Sequence, residues 1–211
     1  FCEFYDITDK GNWHEAYNHS SIPNIKVPMD IFVQNRGMNV EEGWEKIDGL
    51  RRKLLVKRKD RIPPLLDDKI ITAWNGMMIS AMARGTQVTG NPTYADSAER
   101  AVKFILKHLR DDDGGILRTW REGRSKIPAF VGEYAYFING LVDLYETRFD
   151  PGLLGTAEEI GREMLERFYD EESGGFFTTD GRDESVLLRL KDFYDGAIPS
   201  GNSAAVHALH R

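Results

Sequence analysis

The feature that most constrains the fold of this chain is an internal repeat, because a recurring period is the sequence signature of arrayed architectures. A helical pattern led by Thr93 ends in an acidic, glycine-containing cluster at 111–115, and a second pattern led by Thr156 ends in a similar cluster at 170–175. The two patterns are offset by about sixty residues. Each cluster permits the turn that ends its helix, and the apolar pair beyond it can enter a short strand. Returning strands are predicted near 126–127 and 185–190.

Helices of two kinds alternate along the chain. Outer helices, apolar on one side, are predicted near 40–59, 94–109 and 156–169. Inner helices, apolar around most of their circumference and therefore buried, are predicted near 68–84, 133–147 and 200–211. Asn39 leads the first outer helix, and Thr156 with Glu159 forms a predicted capping box for the third. This order predicts a mainly all-α fold, a partial α/α toroid of about three helical hairpins, with short β-hairpins between helix pairs.

Composition limits the partners that the chain can attract. Its 211 residues carry a net charge of -6, which favours neither nucleic acid nor an anionic membrane, so neither is expected as a partner. The basic run at 51–61 flanks leucines at helical spacing and is interpreted as a solvated helix face. No apolar run is long enough to span a bilayer. The single cysteine, Cys2, excludes an internal disulfide and fits a reducing compartment, so a cytoplasmic location is predicted.

The predicted inner helices all begin at one end of the toroid, because the connections between helices place them there. Polar residues gather at these starts and form a mouth. The candidate catalytic carboxylates are Asp67, Asp68, Glu133 and Asp195. A helix N-terminus also stabilises an acid as the anion without any catalytic purpose, so capping and packing stand beside ligand contact for these residues. Ser200 and Asn202 are predicted as caps as well as candidate ligand contacts.

Aromatic and polar residues near the mouth suit a sugar, whose ring has flat apolar faces and hydroxyl groups. The candidate aromatic contacts are Trp74, Trp120, Tyr134 and Tyr136, and the candidate polar contacts are Lys69, Asn75, Arg121, Ser200 and Asn202. Trp74 lies on an apolar helix, which also favours a place in the core. Trp120 and Arg121 lie beyond a hairpin turn, where a pocket position is easier to reach.

Three segments, at 67–76, 115–123 and 195–203, resemble the spermatogenesis-associated protein 20 family, and the resemblance extends over essentially the whole chain. That family joins an N-terminal thioredoxin-like domain to a region similar to six-hairpin glycosidases and sugar epimerases. The resemblance implies that this chain is an interior piece of the helical region. The thioredoxin-like part would precede Phe1, and further hairpins would follow Arg211. The family usually has two aspartates where this chain has Gly132-Glu133, so a carboxylate is missing from the second mouth segment.

The resemblance implies one further expectation about the surface. Three hairpins cannot close a ring that normally takes six, so apolar flanks of the inner helices should be exposed or covered by self-association with another copy.

The residues leave several functions open. Glycoside hydrolysis needs two carboxylates, which the mouth can supply. Sugar epimerisation usually needs histidines tuned near neutral pH, and the five histidines, at 14, 19, 108, 207 and 210, do not form that pattern. A non-catalytic scaffold that binds a sugar, glycan or protein segment is the competing class. No metal site and no cofactor are predicted, because phosphate-loop and zinc-ligand spacings are absent from the sequence.

Overall fold

The computed structural model describes residues 1–13, 20–182 and 186–211. It is mainly helical, with 53% of residues in helices and one small three-stranded sheet, so the predicted fold class is confirmed. The chain divides into two compact units, residues 1–66 and residues 67–211. The candidate residues of the mouth all belong to the second unit.

The first unit contains two helices, α1 at Met29–Gln34 and α2 at Val40–Lys59. Asn39 begins α2 with a capping box: its side chain accepts a hydrogen bond from the Glu42 amide at 2.8 Å, and the Glu42 carboxylate accepts one from the Asn39 amide at 3.0 Å. Residues 51–61 are exposed throughout, Leu54 and Leu55 as well as the basic residues, so the interpretation of the basic run as one solvated face stays a prediction. The assignment of α2 as an outer helix of a toroid stays a prediction.

The second unit is built from helices that pack in sequence order. They are α3 at Thr72–Thr89, α4 at Pro92–His108, α5 at Val131–Arg148, α6 at Pro151–Phe168 and α7 at Gly201–His210. Helix α3 packs against α4 and α5, and α5 packs against α6 and α7. Consequently α3, α5 and α7 lie side by side, with α4 behind α3 and α6 behind α5. The assignment of these helices as inner and outer helices of a toroid stays a prediction.

Helix α6 begins five residues earlier than expected, so the predicted capping box of Thr156 and Glu159 is wrong. The side chain of Asp150 accepts a hydrogen bond from the Gly152 amide at 2.9 Å and caps the helix. Pro151 occupies the first helical position, where its fixed φ and missing N–H carry no cost. Thr156 lies inside the helix, and its hydroxyl donates to the Gly152 carbonyl at 2.8 Å.

The sheet is antiparallel and joins the start of α3 to the hairpin after α4. Its strands, in spatial order, are β1 at Ile70–Ile71, β2 at Leu117–Arg121 and β3 at Arg124–Pro128. The returning strand predicted near 126–127 is therefore confirmed. The second predicted return is wrong over 186–190, which forms no strand, while Ser185 lies outside the described residues. There the Arg189 guanidinium, and not a strand ladder, fastens the segment by donating to the Thr179 carbonyl at 2.7 Å.

The core of the second unit centres on α5, whose residues from Tyr134 to Leu144 are almost all buried. Burial around the whole circumference was predicted for this helix and is confirmed. Helix α3 differs, because Trp74 and Met78 on one face are 64% and 54% exposed. The expectation that α3 is buried on all sides is wrong for this face, since no helix of the second unit covers it.

Candidate functional site

The starts of α3, α5 and α7 meet at one cleft, with a volume of about 480 Å³, which we call the mouth cleft. Its principal side chains are Trp74 from α3, Arg118 from β2, Phe130, Glu133 and Tyr136 from the start of α5, and Asp192 and Tyr194 from the segment before α7. Four of the predicted residues, Trp74, Glu133, Tyr136 and Ser200, are therefore brought together.

Glu133 is the buried carboxylate of the mouth cleft, with only 5% of its surface exposed. It lies in the first turn of α5, where its carboxylate accepts a hydrogen bond from the Phe130 amide at 2.9 Å. The nearest cation is Arg118, whose Nε is 3.7 Å from Oε1. Burial raises the pKa of Glu133 above its usual value, and the Phe130 amide and Arg118 only partly oppose this effect. Such a carboxyl group keeps its proton to a higher pH than a solvated glutamate.

Trp74 and Tyr136 supply aromatic surface to the cleft. Trp74 stands 64% exposed on the first turn of α3, so its ring is open to a ligand. The side chain of the neighbouring Asn75 is already engaged within the chain, because it donates a hydrogen bond to the Ile71 carbonyl at 2.9 Å. The Tyr136 hydroxyl donates to the Pro199 carbonyl at 2.6 Å and ties α5 to the segment before α7.

Asp67, Asp68, Lys69 and Arg121 lie at the edge of the sheet and do not line the mouth cleft. Arg121 Nε is 2.6 Å from Asp68 Oδ1, and Lys69 Nζ is 3.2 Å from Asp67 Oδ2. All four side chains are about half exposed, and the bond from Lys69 holds the pKa of Asp67 below its usual value. This arrangement supports a surface ion-pair role for the two aspartates.

Two of the predicted aromatic contacts are packing residues. Trp120 packs edge-on against Phe104 of α4, with ring centres 5.2 Å apart. Tyr134 is 1% exposed, and its hydroxyl accepts a hydrogen bond from the Ile116 amide at 2.9 Å. The structure therefore places neither ring on the wall of the mouth cleft.

The motif at 195–203 acts mainly as a set of backbone ties. Ser200 caps α7 by accepting a hydrogen bond from the Ser203 amide at 3.1 Å, as predicted. Asn202 is not a helix cap, because it is buried and bonds both the amide and the carbonyl of Phe176, at 2.7 and 2.8 Å. Asp195 accepts a hydrogen bond from the Ser200 amide at 2.8 Å, which holds its pKa below the usual value.

Sequence reasoning missed Arg118, Asp192 and Tyr194 of the mouth cleft. Asp192 and Tyr194 belong to an irregular segment without periodicity, so no pattern indicated which way their side chains point. Arg118 lies on a predicted hairpin, but only the tertiary fold decides which face of that hairpin meets α5. For Asp192 the sequence offered one local signal, which was its position three residues before Asp195, a candidate residue of the mouth.

Two further features are absent from the described residues. Among residues 1–13, 20–182 and 186–211, no group of three or more His, Cys, Asp or Glu side chains is arranged to hold a metal ion. Within the same ranges, no helix is both long enough and apolar enough to cross a membrane. His14 and His19 lie outside the described residues.

Solved structures share this arrangement of helices. A family 105 glycoside hydrolase from C. acetobutylicum ATCC 824 superimposes with a TM-score of 0.55 and 15% identity, covering 86% of this chain and 53% of the other. Cellobiose 2-epimerase from Spirochaeta thermophila DSM 6192 gives a TM-score of 0.50 and 18% identity, covering 67% of this chain and 37% of the other. The chain therefore has the fold of part of an α/α toroid.

The sequence identifies closer relatives. The chain is 30% identical over 223 residues to spermatogenesis-associated protein 20 of Homo sapiens, and the alignment covers 98% of this chain and 28% of the human protein. It is thus homologous, over nearly its whole length, to one segment of spermatogenesis-associated protein 20, and it spans less than a third of that relative. No family model matches the sequence. The thioredoxin-like domain stays a prediction.

Proposed function

We propose that the mouth cleft binds a carbohydrate and forms part of a carbohydrate-binding or carbohydrate-processing cavity. The observation that carries this proposal is that an exposed tryptophan, Trp74, and a buried acid, Glu133, line the same cleft of about 480 Å³. Ligand pockets typically combine aromatic faces with a few convergent polar groups. The glycoside hydrolase and epimerase that share the fold lend support, although a fold alone does not fix a function.

The aromatic side of the cleft suits a sugar ring. A tryptophan that is 64% exposed leaves apolar area in contact with water, and a ligand that covers this area is favoured by the hydrophobic effect. The ring of Trp74 offers a flat face for the C–H face of a pyranose, while the second aromatic wall comes from Tyr136 and Tyr194. Arg118 supplies hydrogen-bond donors for hydroxyl groups.

The carboxylates of the cleft suit acid–base chemistry. Glycoside hydrolysis needs one protonated acid and one ionised carboxylate on opposite sides of the bond. Glu133, whose pKa is raised by burial, is the candidate acid, and Asp192 is the candidate second carboxylate because it lines the same cleft. Asp67 and Asp68 are replaced in this role, since their ion pairs lie at the sheet edge.

A non-catalytic binding scaffold is the second candidate function. It is favoured by the bonds that already engage Glu133 and Asp192: the first accepts from the Phe130 amide, and the second accepts from the Tyr194 amide at 3.0 Å. Both carboxylates would then organise the wall of the cleft without transferring a proton.

Isothermal titration of the full-length protein with a panel of mono- and disaccharides tests binding. We expect saturable binding that Trp74→Ala abolishes and that Tyr94→Ala leaves unchanged, because Tyr94 is a 42% exposed aromatic residue on α4, away from the cleft. Binding that survives Trp74→Ala, or no binding at millimolar sugar, contradicts the proposal.

Turnover of the bound sugar separates the two functions. If the cleft is catalytic, Glu133→Gln and Asp192→Asn should each lower kcat by at least about a hundredfold while binding persists. If the cleft is a scaffold, the wild-type protein should bind the sugar and release it unchanged over hours.

A further inference from the structure

A second groove lies beside the mouth cleft, between α3, α5 and α7, and has a volume of about 510 Å³. We call it the inner groove, and its main side chains are Met77, Ser80, Tyr136, Asn139, Asp195 and His207. Tyr136 lines both the inner groove and the mouth cleft, so the two are neighbours on the same surface. The polar groups of the inner groove are fixed by hydrogen bonds that determine what the groove can recognise.

The orientation of the Asn139 amide follows from its surroundings. Asn139 is buried on α5, and its Nδ2 lies 2.9 Å from the Ala135 carbonyl oxygen and 3.0 Å from the Ala204 carbonyl oxygen. Both neighbours are acceptors, so the atom that faces them must be the NH₂ donor, and the reversed amide would set oxygen against oxygen. The Asn139 oxygen, Oδ1, is thereby directed at His207.

This orientation fixes the tautomer of His207. Nδ1 of His207 lies 2.7 Å from Asn139 Oδ1, which can only accept a hydrogen bond. Nδ1 must therefore carry the proton, and in the neutral ring the lone pair is left on Nε2. Within the described part of the chain Nε2 has no hydrogen-bond partner, and the exposed side chain of His207 lines the inner groove. His207 consequently presents a hydrogen-bond acceptor at Nε2.

A second acceptor lies in the same groove. Asp195 is held in its ionised form, because the bond from the Ser200 amide keeps its pKa low. Its charge is close enough to help raise the pKa of Tyr136, although burial is the larger cause. The Tyr136 hydroxyl is already committed to the Pro199 carbonyl. The inner groove is thus lined by two hydrogen-bond acceptors, Nε2 of His207 and the carboxylate of Asp195, and by apolar wall from Met77, a combination that complements a ligand rich in hydroxyl donors.

We propose that the inner groove is a second saccharide subsite, in which Nε2 of His207 and the carboxylate of Asp195 accept hydrogen bonds from sugar hydroxyl groups. The inference rests on the proposed function, because the inner groove adjoins the mouth cleft and shares Tyr136 with it. It assigns a ligand-contacting role to a histidine that the sequence pattern gave no reason to select.

Solid-state ¹⁵N NMR of the full-length protein, labelled only at histidine, measures the tautomer directly. The His207 signals, identified by their loss in His207→Gln, should show a protonated Nδ1 and an unprotonated Nε2 at pH 8. A protonated Nε2 in the free protein would overturn the proposal.

Saccharide titration tests the role of the groove. A disaccharide should shift the Nε2 resonance of His207 and leave His108 unchanged, because His108 lies on α4 and stacks against Phe104 at a ring distance of 4.8 Å. His207→Phe should weaken binding about tenfold, whereas His207→Gln, which can place an oxygen acceptor near the position of Nε2, should retain most of the affinity.

The outcomes separate this proposal from the proposed function. Saccharide binding that depends on Trp74 but leaves the His207 signals and affinity unchanged overturns the inner subsite alone. Binding that depends on His207 but not on Trp74 supports the inner subsite and overturns the mouth cleft. The absence of any saccharide binding overturns both.

Discussion

Gly76 of α3 and Gly140 of α5 lie at the closest approach of these two helices. A Cβ atom at Gly76 would stand 2.5 Å from the Tyr136 carbonyl oxygen, and one at Gly140 would stand 2.7 Å from the Gly76 carbonyl oxygen. Only glycine allows the backbones to come this close. The contact brings Trp74 and Tyr136, each within four residues of one of these glycines, into the lining of the mouth cleft.

Replacing Gly76 by alanine should therefore separate α3 from α5. We expect Gly76→Ala to lower the free energy of unfolding by about 2–3 kcal/mol, since the added methyl group meets rigid backbone. Denaturant unfolding measures this loss. Gly155→Ala on α6 is the matched control, because a methyl group there meets nothing within 4 Å and the substitution should be stabilising by about 0.5–1 kcal/mol. Equal effects of the two substitutions would contradict the proposed contact.

The start of α6 can be tested by its cap. Asp150→Ala removes the side chain that accepts from the Gly152 amide and should cost about 1 kcal/mol in unfolding free energy. Thr156→Ala should change stability by less than about 0.5 kcal/mol, because the threonine lies inside the helix and alanine has the higher helix propensity. A larger loss for Thr156→Ala would restore the capping box that the sequence pattern indicated.

Asn202 is expected to be the most sensitive polar residue of the motif at 195–203. Asn202→Ala leaves the buried amide and carbonyl of Phe176 without partners and should lower the unfolding free energy by about 3 kcal/mol. Asn75→Ala removes a single bond from a partly exposed side chain and should cost less than about 1 kcal/mol. Thermal unfolding measures the stability of both variants. Similar losses for Asn202→Ala and Asn75→Ala would contradict the bridging role of Asn202.

The two tryptophans of the helical hairpins should behave in opposite ways. Trp120→Ala should lower the unfolding free energy by about 2–3 kcal/mol, because its ring packs against Phe104. Trp74→Ala should change it by less than about 0.5 kcal/mol, because the side chain is largely exposed. If Trp74→Ala proves as destabilising as Trp120→Ala, then Trp74 is a packing residue. Loss of sugar binding in Trp74→Ala would then follow from loss of folded structure.

The contributions of Glu133 and Asp195 to the stability of the fold should change in opposite directions as the pH rises. Burial raises the folded-state pKa of Glu133, so its stabilising contribution is present below about pH 4.5 and is lost as the pH rises through the folded pKa. Glu133→Gln stays neutral and can still accept from the Phe130 amide. The melting temperature of Glu133→Gln relative to wild type should therefore increase between pH 4 and pH 7.5.

Asp195 is the control for this titration. Hydrogen bonds lower its folded-state pKa, so its contribution is present above about pH 3.8 and is lost as the pH falls through the folded pKa. The deficit of Asp195→Asn relative to wild type should accordingly be larger at pH 7.5 than at pH 3. A Glu133→Gln variant that follows the trend of Asp195→Asn would show that Glu133 is stabilised as the anion.

The candidate site was only partly predictable. Glu133 and Tyr136 could be predicted as site residues from periodicity. The pattern of apolar residues shows where a buried helix begins, and these two residues lie in its first turns. Asp67 and Asp68 were misplaced, since periodicity places them near the helix start but does not reveal the ion pairs with Lys69 and Arg121 that hold them at the sheet edge.

The sequence by itself indicated helices in the places of α2 to α7 and a returning strand near 126–127, because these features depend on the local spacing of apolar residues, glycines and caps. Only the tertiary structure decided which side chains share a cleft. Asp192 and Tyr194 share the mouth cleft with Glu133 because hydrogen bonds from Arg189 and Asn202 hold their irregular segment in place, and such long-range hydrogen bonds leave no period in the sequence. The tautomer of His207 is a tertiary property for the same reason, since it depends on an amide 68 residues away.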